Sequence, residues 1–185
     1  MFGRFFPRSR RKRDSAASLY GAIVAQARSS ALYAAIGVPD SVGGRFEMVV
    51  MHVILVTRRL ETGDAAARTA GQAVFDRFCN DMDNALREMG VGDLSVPKHM
   101  RRVGEAYFGR LAAYGPALSS GDPAVLAEAI ERTVFGAGEV SSSAQSLAAY
   151  ALAAADRLGD QDEAAIVGRG PDFPDVGQFV AGEGR

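Results

Sequence analysis

The longest regular pattern in the chain runs from residue 65 to residue 89, where apolar side chains recur at the spacing of an α-helix. At about 100° per residue, they fall within roughly 100° of arc, the width of one buried helix face. These positions are Phe75, Phe78, Cys79, Met82, Leu86 and Met89. A second stripe lies within roughly 80° of arc and comprises Met100, Val103, Tyr107, Leu111 and Tyr114. We expect one core that contains eight of these residues: Phe75, Phe78, Met82, Leu86, Met100, Val103, Tyr107 and Leu111.

The segment between the stripes contains residues that end one helix and begin another. Gly90 stands where the residue after a helix adopts a positive φ. Ser95 and Pro97 are typical of an N-cap and a first helical turn. Gly115 and Pro116 are expected to kink or end the second helix. The pattern therefore predicts a helical hairpin.

Helical patterns also cover most of the remaining chain. They are found at residues 15–27, in "SALYAAIG", in "DPAVLAEAIERTVFG" and in "SSSAQSLAAYALAAADRLG". The stretch "RFEMVVMHVILVTRRLET" has the β-branched content of a strand, but its length and lack of alternation favour a buried helix. We expect an all-α fold, a single globular domain of about six helices.

Charge is distributed unevenly along the chain. Six of the 21 basic residues stand in the first 13 positions, with no acidic residue among them: Arg4, Arg8, Arg10, Arg11, Lys12 and Arg13. The rest of the chain has 15 basic and 22 acidic residues, a net charge of −7. We expect residues 1–13 to be a flexible basic arm, residues 14–160 to be the helical domain and residues 161–185 to be a loosely ordered tail. Such an arm predicts an anionic partner, such as lipid headgroups or RNA.

Residues that could carry chemistry do not converge in the sequence. Asp81 and Asp83 point about 160° apart on a helix, so they cannot share a metal ion. His52 lies in an apolar helix, where a hydrogen-bonded core residue is expected, and His99 has no ligand-spaced neighbour. Cys79 lies on the buried stripe and is expected to act as a small hydrophobe. We therefore expect no catalytic site, no cofactor and no metal.

The outer face of the predicted helix after Pro97 is the strongest candidate for recognition. Lys98, Arg101 and Arg102 fall within about 100° of arc opposite the core stripe, together with Glu105. Phe108 lies at the edge between this arc and the core stripe. Two interpretations stay open: a solvated basic face, or a partner-binding surface of Lys98, Arg101, Arg102 and Phe108.

Three stretches resemble a known family. They are "LYGAIVAQAR…LYAAIGVPDSVGGRF", "GRFEMVVMHVILVTRRL" and "FDRFCNDMDNALREMGVGDLSVPKHMRRVGEAYFGRLAAY". Together they are similar to the ubiquinol–cytochrome c chaperone family, bacterial relatives of the mitochondrial assembly factors for the cytochrome bc1 complex. The resemblance covers residues 19–150, and its most specific part is "DMDNALREMGVGD" followed by "VPKHMRR" and "YFGR".

The resemblance implies a non-enzymatic role in assembly of the bc1 complex, respiratory complex III. Mitochondrial members bind newly made cytochrome b near the ribosomal exit and act with a small helper protein. The expected partners are therefore cytochrome b or other bc1 subunits, with a helper protein and the ribosome as further candidates. We expect a cytoplasmic protein, peripherally associated with the inner membrane through its arm.

The sequence leaves two other functional classes open. One is a peripheral membrane- or RNA-binding helical protein that acts through its basic arm. The other is a helical enzyme acting on a lipid-like quinone, which is disfavoured because no acid/base pair emerges from the sequence.

The single cysteine fits a reducing compartment. No apolar run reaches the ~20 residues of a membrane span.

Overall fold

The computed structural model describes residues 7–136 and 138–180, and within these ranges it contains helices and no β-strand. The α-helices are α1 (Pro7–Ala27), α2 (Ser30–Ala34), α3 (Val42–Glu61), α4 (Ala65–Glu88), α5 (Val96–Ser120), α6 (Pro123–Ile130), α7 (Ser142–Gly159) and α8 (Glu163–Arg169). A π-helical turn (Glu131–Phe135) continues α6, and a 3₁₀ turn (Val176–Phe179) follows α8. The expected all-α fold with a single core is confirmed.

Helix α3 is the centre of the domain. Every residue from Glu47 to Val56 is buried, and the helix packs against α1, α4, α5 and α7. The side chain of Ser41 caps its first turn by accepting a hydrogen bond from the backbone N–H of Gly44 at 3.1 Å. In a sheet with one covered face, a strand would expose every second residue. Here neighbouring helices cover the segment on all sides. Its apolar composition is therefore that of a central helix, as predicted.

Helices α4 and α5 contribute most residues of the two predicted stripes to the core. Phe78, Tyr107 and Tyr114 are buried in it. Half-buried side chains pack against them: Phe75, Cys79, Met82, Val103 and Leu111.

The prediction that Leu86 and Met100 belong to the core is wrong. Both side chains are half-buried and lie outside the core cluster. They stand near the closed end of the α4–α5 hairpin, where Met89 is 61% exposed and Leu94 is 100% exposed. Helical period places the two residues on the correct face, but near this end the face is not fully covered.

Helix α5 continues through the expected breakpoint at Pro116. It ends at Ser120, and Gly121 follows with a left-handed φ of 69°. Proline removes the N–H that would bond to the carbonyl of Ala112, one turn earlier. Ala112 is exposed, so water can satisfy that carbonyl and the helix persists.

Helix α1 begins earlier than the sequence predicts. Its first residue is Pro7, whereas the periodicity indicates a start near Ser15 and a flexible arm before it. Proline is favoured at the first helical position, and arginine and lysine are good helix formers. Residues 1–6 and the side chains of residues 7–14 lie outside the described part of the chain. The roles expected for the basic residues of the arm therefore stay predictions: Arg4, Arg8, Arg10, Arg11, Lys12 and Arg13.

The segment after residue 160 is packed, and the loosely docked arrangement expected for it is wrong over residues 163–180. Ile166 and Val176 are buried in the core. The side chain of Arg157 donates two hydrogen bonds to Asp172, which ties this segment to α7. Its apolar residues dock singly between glycines and prolines, so they leave no period in the sequence. Residues 181–185 lie outside the described residues.

A series of buried hydrogen bonds crosses the core near this segment. His52 is fully buried, with Nδ1 2.7 Å from the carbonyl of Met48 and Nε2 2.7 Å from the hydroxyl of Tyr150. A carbonyl only accepts, so Nδ1 donates to Met48 and Nε2 accepts from Tyr150. The amide of Gln26 donates to the same hydroxyl at 2.9 Å. His52 is therefore a satisfied core residue, as predicted.

Candidate partner-binding surface

The turn of the α4–α5 hairpin is built as its sequence indicates. Gly90 has a φ of 84°, a conformation that glycine adopts without steric cost. The N–H of Val91 donates to the carbonyl of Leu86 at 3.0 Å and closes the last turn of α4. Pro97 occupies the first turn of α5, and Ser95 is its N-cap without a side-chain cap bond. The turn brings α4 and α5 together as antiparallel neighbours.

Four aromatic side chains form a continuous cluster between these two helices. The rings of Phe75 and Tyr107 are 4.8 Å apart, and Phe108 lies 6.0 Å from Phe75 and 5.3 Å from Tyr107. Phe78 completes the cluster at 5.9 Å from Tyr107. Phe78 is fully buried, whereas Phe108 is 59% exposed. The cluster therefore passes from the core to the surface.

The exposed end of this cluster borders a groove between α3, α4 and α5. The groove has a volume of about 370 Å³. Its lining residues are Thr57, Arg58 and Glu61 from α3, Arg68, Gly71, Gln72 and Phe75 from α4, and Tyr107, Phe108 and Leu111 from α5. A Cβ added at Gly71 would lie 3.3 Å from Leu60 Cβ, which shows how closely α3 and α4 approach there.

Tyr107 is held in place on one side of the groove. Its hydroxyl lies 3.1 Å from Thr57 Oγ1, and Thr57 in turn donates to the carbonyl of Val53 at 2.8 Å. Because the Thr57 proton is used in that bond, Tyr107 donates to Thr57. Burial raises the pKa of Tyr107, so the donating proton is retained. Tyr107 is therefore fixed by a hydrogen bond and by burial, whereas Phe108 is exposed.

Two guanidinium groups lie at the groove without a carboxylate partner. Arg58 Nη2 donates to Ser119 Oγ at 2.8 Å, and Arg68 Nη1 donates to the carbonyl of Gly63. Within the described ranges, neither forms an ion pair, and neither does Glu61. The groove thus combines an apolar aromatic part with a net positive charge.

The basic residues predicted from the sequence lie on α5, nearer its N-terminus than the part of α5 that lines this groove. Lys98, Arg101 and Arg102 are exposed, and Arg101 donates to Glu105 at 2.9 Å. None of the three lines the groove, whereas Phe108 does. Arg101 precedes Phe108 by two helical turns, roughly 10 Å along α5. The partner-binding role of these four residues stays a prediction.

Sequence reasoning missed Arg58, Arg68 and the exposed edge of Phe75. Each comes from a different position along α3 or α4, and they meet only because three helices pack side by side. The one available signal was the pair of arginines in "TRRLET" at the end of an apolar helix. That signal is ordinary for a helix C-terminus, where basic residues are favoured.

The other candidate residues have structural partners. Arg87 donates to Asp83 at 2.7 Å, and the hydroxyl of Tyr20 donates to Asp81 at 3.1 Å. Cys79 is half-buried, and burial raises its pKa, which keeps the thiol protonated. Across residues 7–136 and 138–180, no three His, Cys, Asp or Glu side chains are grouped as metal ligands. No helix in these ranges is both long enough and apolar enough to cross a bilayer.

Comparisons with known proteins cover this whole region. A family model described as ubiquinol-cytochrome C chaperone matches residues 34–173, which include α3, α4 and α5. The chain is also similar to a solved structure, the crystal structure of the Cbp3 homolog from Brucella abortus. The two are 34% identical, with a TM-score of 0.84 over 94% of this chain and 96% of that chain. A search of the curated proteins found no match.

Proposed function

The chain belongs to the ubiquinol-cytochrome c chaperone family, and from that membership we propose that it is a non-enzymatic assembly factor for the cytochrome bc1 complex. Its client would be newly made cytochrome b, bound before the complex is complete. The role needs a surface that holds a partner and releases it. It needs no catalytic residues.

One observation carries this proposal beyond family membership. Phe108 is 59% exposed, although it belongs to an aromatic cluster that is otherwise buried or half-buried. Aromatic and arginine side chains are the types most often found at interface hot spots. Lys98, Arg101 and Arg102 stand on the same helix, so the partner-binding surface offers an aromatic anchor with a basic border. Such a border suits acidic loop residues of a membrane client or of a small helper protein.

The basic arm supports a location for this activity. We propose that residues 1–13 bring the chain to an anionic surface, which for a bc1 assembly factor would be the cytoplasmic face of the inner membrane. Basic residues near an anionic bilayer contribute about 1 kcal/mol each. The ribosome is a second anionic surface that the arm could contact.

The experiment replaces two arginines of the surface by glutamate, Arg101→Glu with Arg102→Glu. Both side chains are exposed, so helicity and melting temperature should be close to those of the unchanged protein. In cells that carry only this variant, we expect assembled bc1 complex to fall on native gels while its structural genes are still transcribed. The matched control is Arg77→Glu with Arg169→Glu, two exposed arginines outside the surface and the groove. Full assembly with the first variant would mean that these basic residues form an ordinary solvated face and do not bind a partner.

The client can be tested at the same surface. A photoreactive phenylalanine analogue in place of Phe108 should cross-link to cytochrome b in cells that are making it. Cross-links only to other proteins would contradict cytochrome b as the client bound at this surface. They would leave the assembly role to be judged by the variants above.

A further inference from the structure

The groove has different chemistry at its two ends. At one end lie the rings of Phe75, Tyr107 and Phe108. At the other end, Arg58 Nη2 bonds to Ser119, and a Cβ added at Gly115 would lie 3.2 Å from Arg58 Nη1. Arg58 therefore lies over the C-terminal half of α5. The groove is aromatic at one end and basic at the other.

The basic end also contains Arg68 and Glu61. Arg68 bonds to the carbonyl of Gly63 in the α3–α4 turn, so the two arginines reach this end from neighbouring helices. With Glu61 as the one carboxylate lining the groove, the net charge of this end is +1. Since no carboxylate among the described residues pairs with Arg58 or Arg68, both can pair with an acidic group from outside.

The separation of the two ends fits one kind of occupant. Gly115 follows Tyr107 by eight positions in α5, which span about 12 Å, or roughly two helical turns. A partner helix that lies along the groove would bridge this length with side chains two turns apart. Recognition of an amphipathic helix in an apolar groove is a recurrent binding mode, and no strand edge exists in the described ranges to pair with an extended segment.

We propose that the groove binds an amphipathic helix of a partner polypeptide, with a large apolar side chain at the aromatic end and a carboxylate two turns away at Arg58 and Arg68. This inference rests on the proposed function and specifies the chemistry of the segment that the chaperone holds. The apolar side chain supplies affinity by contact with Phe108 and Phe75. The carboxylate fixes the direction and register of the helix.

The test uses the full chain and a pair of synthetic helical peptides of about eighteen residues, roughly 27 Å long. One peptide carries phenylalanine and glutamate two turns apart, and the other has glutamine in place of that glutamate. Binding is followed by fluorescence anisotropy at low and high salt. We expect the glutamate peptide to bind about three- to tenfold more tightly at low salt. High salt should reduce this preference, because exposed charges are screened.

Variants of the protein assign the preference to the groove. Arg58→Gln with Arg68→Gln should abolish the preference for glutamate and leave affinity for the glutamine peptide unchanged. Arg132→Gln is the control, since Arg132 is exposed, forms no ion pair within the described ranges and does not line the groove. Phe108→Ala should weaken both peptides about tenfold or more. Melting curves of each variant verify that it is folded.

Several results would overturn the inference. One is that neither peptide binds, and another is that both bind with equal affinity. The third is that the Arg58/Arg68 variant still prefers the glutamate peptide. Failure of the proposed function gives a different result: deletion of the gene would leave bc1 assembly intact. If deletion abolishes assembly and the Arg58/Arg68 variant restores it fully, the assembly role stands and the acidic-helix inference fails.

Discussion

Replacing His52 by glutamine should make the free energy of unfolding less dependent on pH. Burial lowers the pKa of His52 from its ordinary value of 6.5 to about 4, because the charged ring would lose its hydration. The unfolded chain therefore takes up a proton as the pH falls below 6.5, while the folded chain stays neutral at this site until about pH 4. Stability is lost as the pH falls through this window.

The size of the effect follows from the two pKa values. A difference between 6.5 and about 4 removes about 2 kcal/mol from the free energy of unfolding between about pH 7.5 and about pH 5. The loss approaches about 3 kcal/mol near pH 4. Glutamine does not titrate, and its side-chain oxygen can still accept from Tyr150. The variant should be less stable at neutral pH by about 1–2 kcal/mol, and its deficit should nearly vanish by about pH 5.

The assay is urea unfolding, followed by helical circular dichroism at a series of pH values. Other carboxylates also titrate, so the informative quantity is the difference in unfolding free energy between the two proteins at each pH. Tyr150→Phe is the control, because it removes the hydroxyl that bonds to Nε2 but keeps the buried histidine. It should retain the slope of the unchanged protein. A deficit of His52→Gln that is constant across pH would refute the claim that His52 is held neutral by burial.

Other expected outcomes test packing and the arm. Phe78→Ala should reduce the free energy of unfolding by about 3–5 kcal/mol, whereas Phe108→Ala should change it by less than about 1 kcal/mol; equal losses in urea melts would contradict the exposed position of Phe108. Gly44→Ala should destabilise by about 1–3 kcal/mol, because its Cβ would stand 1.9 Å from a backbone carbonyl oxygen. Gly43→Ala meets only Ser41 Oγ at 3.8 Å and should melt at or slightly above the original temperature. Deletion of residues 1–13 should abolish co-sedimentation with anionic vesicles at low salt; unchanged sedimentation at low and high salt would exclude the arm as a membrane contact.

The elements with a continuous period could be predicted from the sequence. Helices α4 and α5 follow from apolar spacing, α3 follows from the length of its apolar run, and the positive φ of Gly90 follows from its place after α4. The edge position of Phe108 on α5 was also readable from helical angles. In each case the determining interactions are local, within one or two turns.

The groove and the C-terminal segment could not be predicted, for different reasons. The groove needs the relative positions of three helices, and no period in α3 or α4 indicates that Arg58 and Phe75 share a cavity. The C-terminal segment docks through single residues such as Ile166 and Val176, whose burial depends on sites that other helices leave open. Periodicity cannot reveal an isolated contact of this kind.

The series of buried hydrogen bonds through His52 and Tyr150 has a consequence for the kinetics of folding. It joins Gln26 to Tyr150 across 124 positions of sequence and His52 to Tyr150 across 98. Closing such long loops is entropically unfavourable until the helices between them have formed, so these bonds should be absent from the transition state. Tyr150→Phe should then accelerate unfolding and leave the refolding rate nearly unchanged, whereas a slowed refolding arm in stopped-flow measurements would contradict this order. These hydrogen bonds would thus form last, slow the unfolding of the protein and set the lifetime of its folded state.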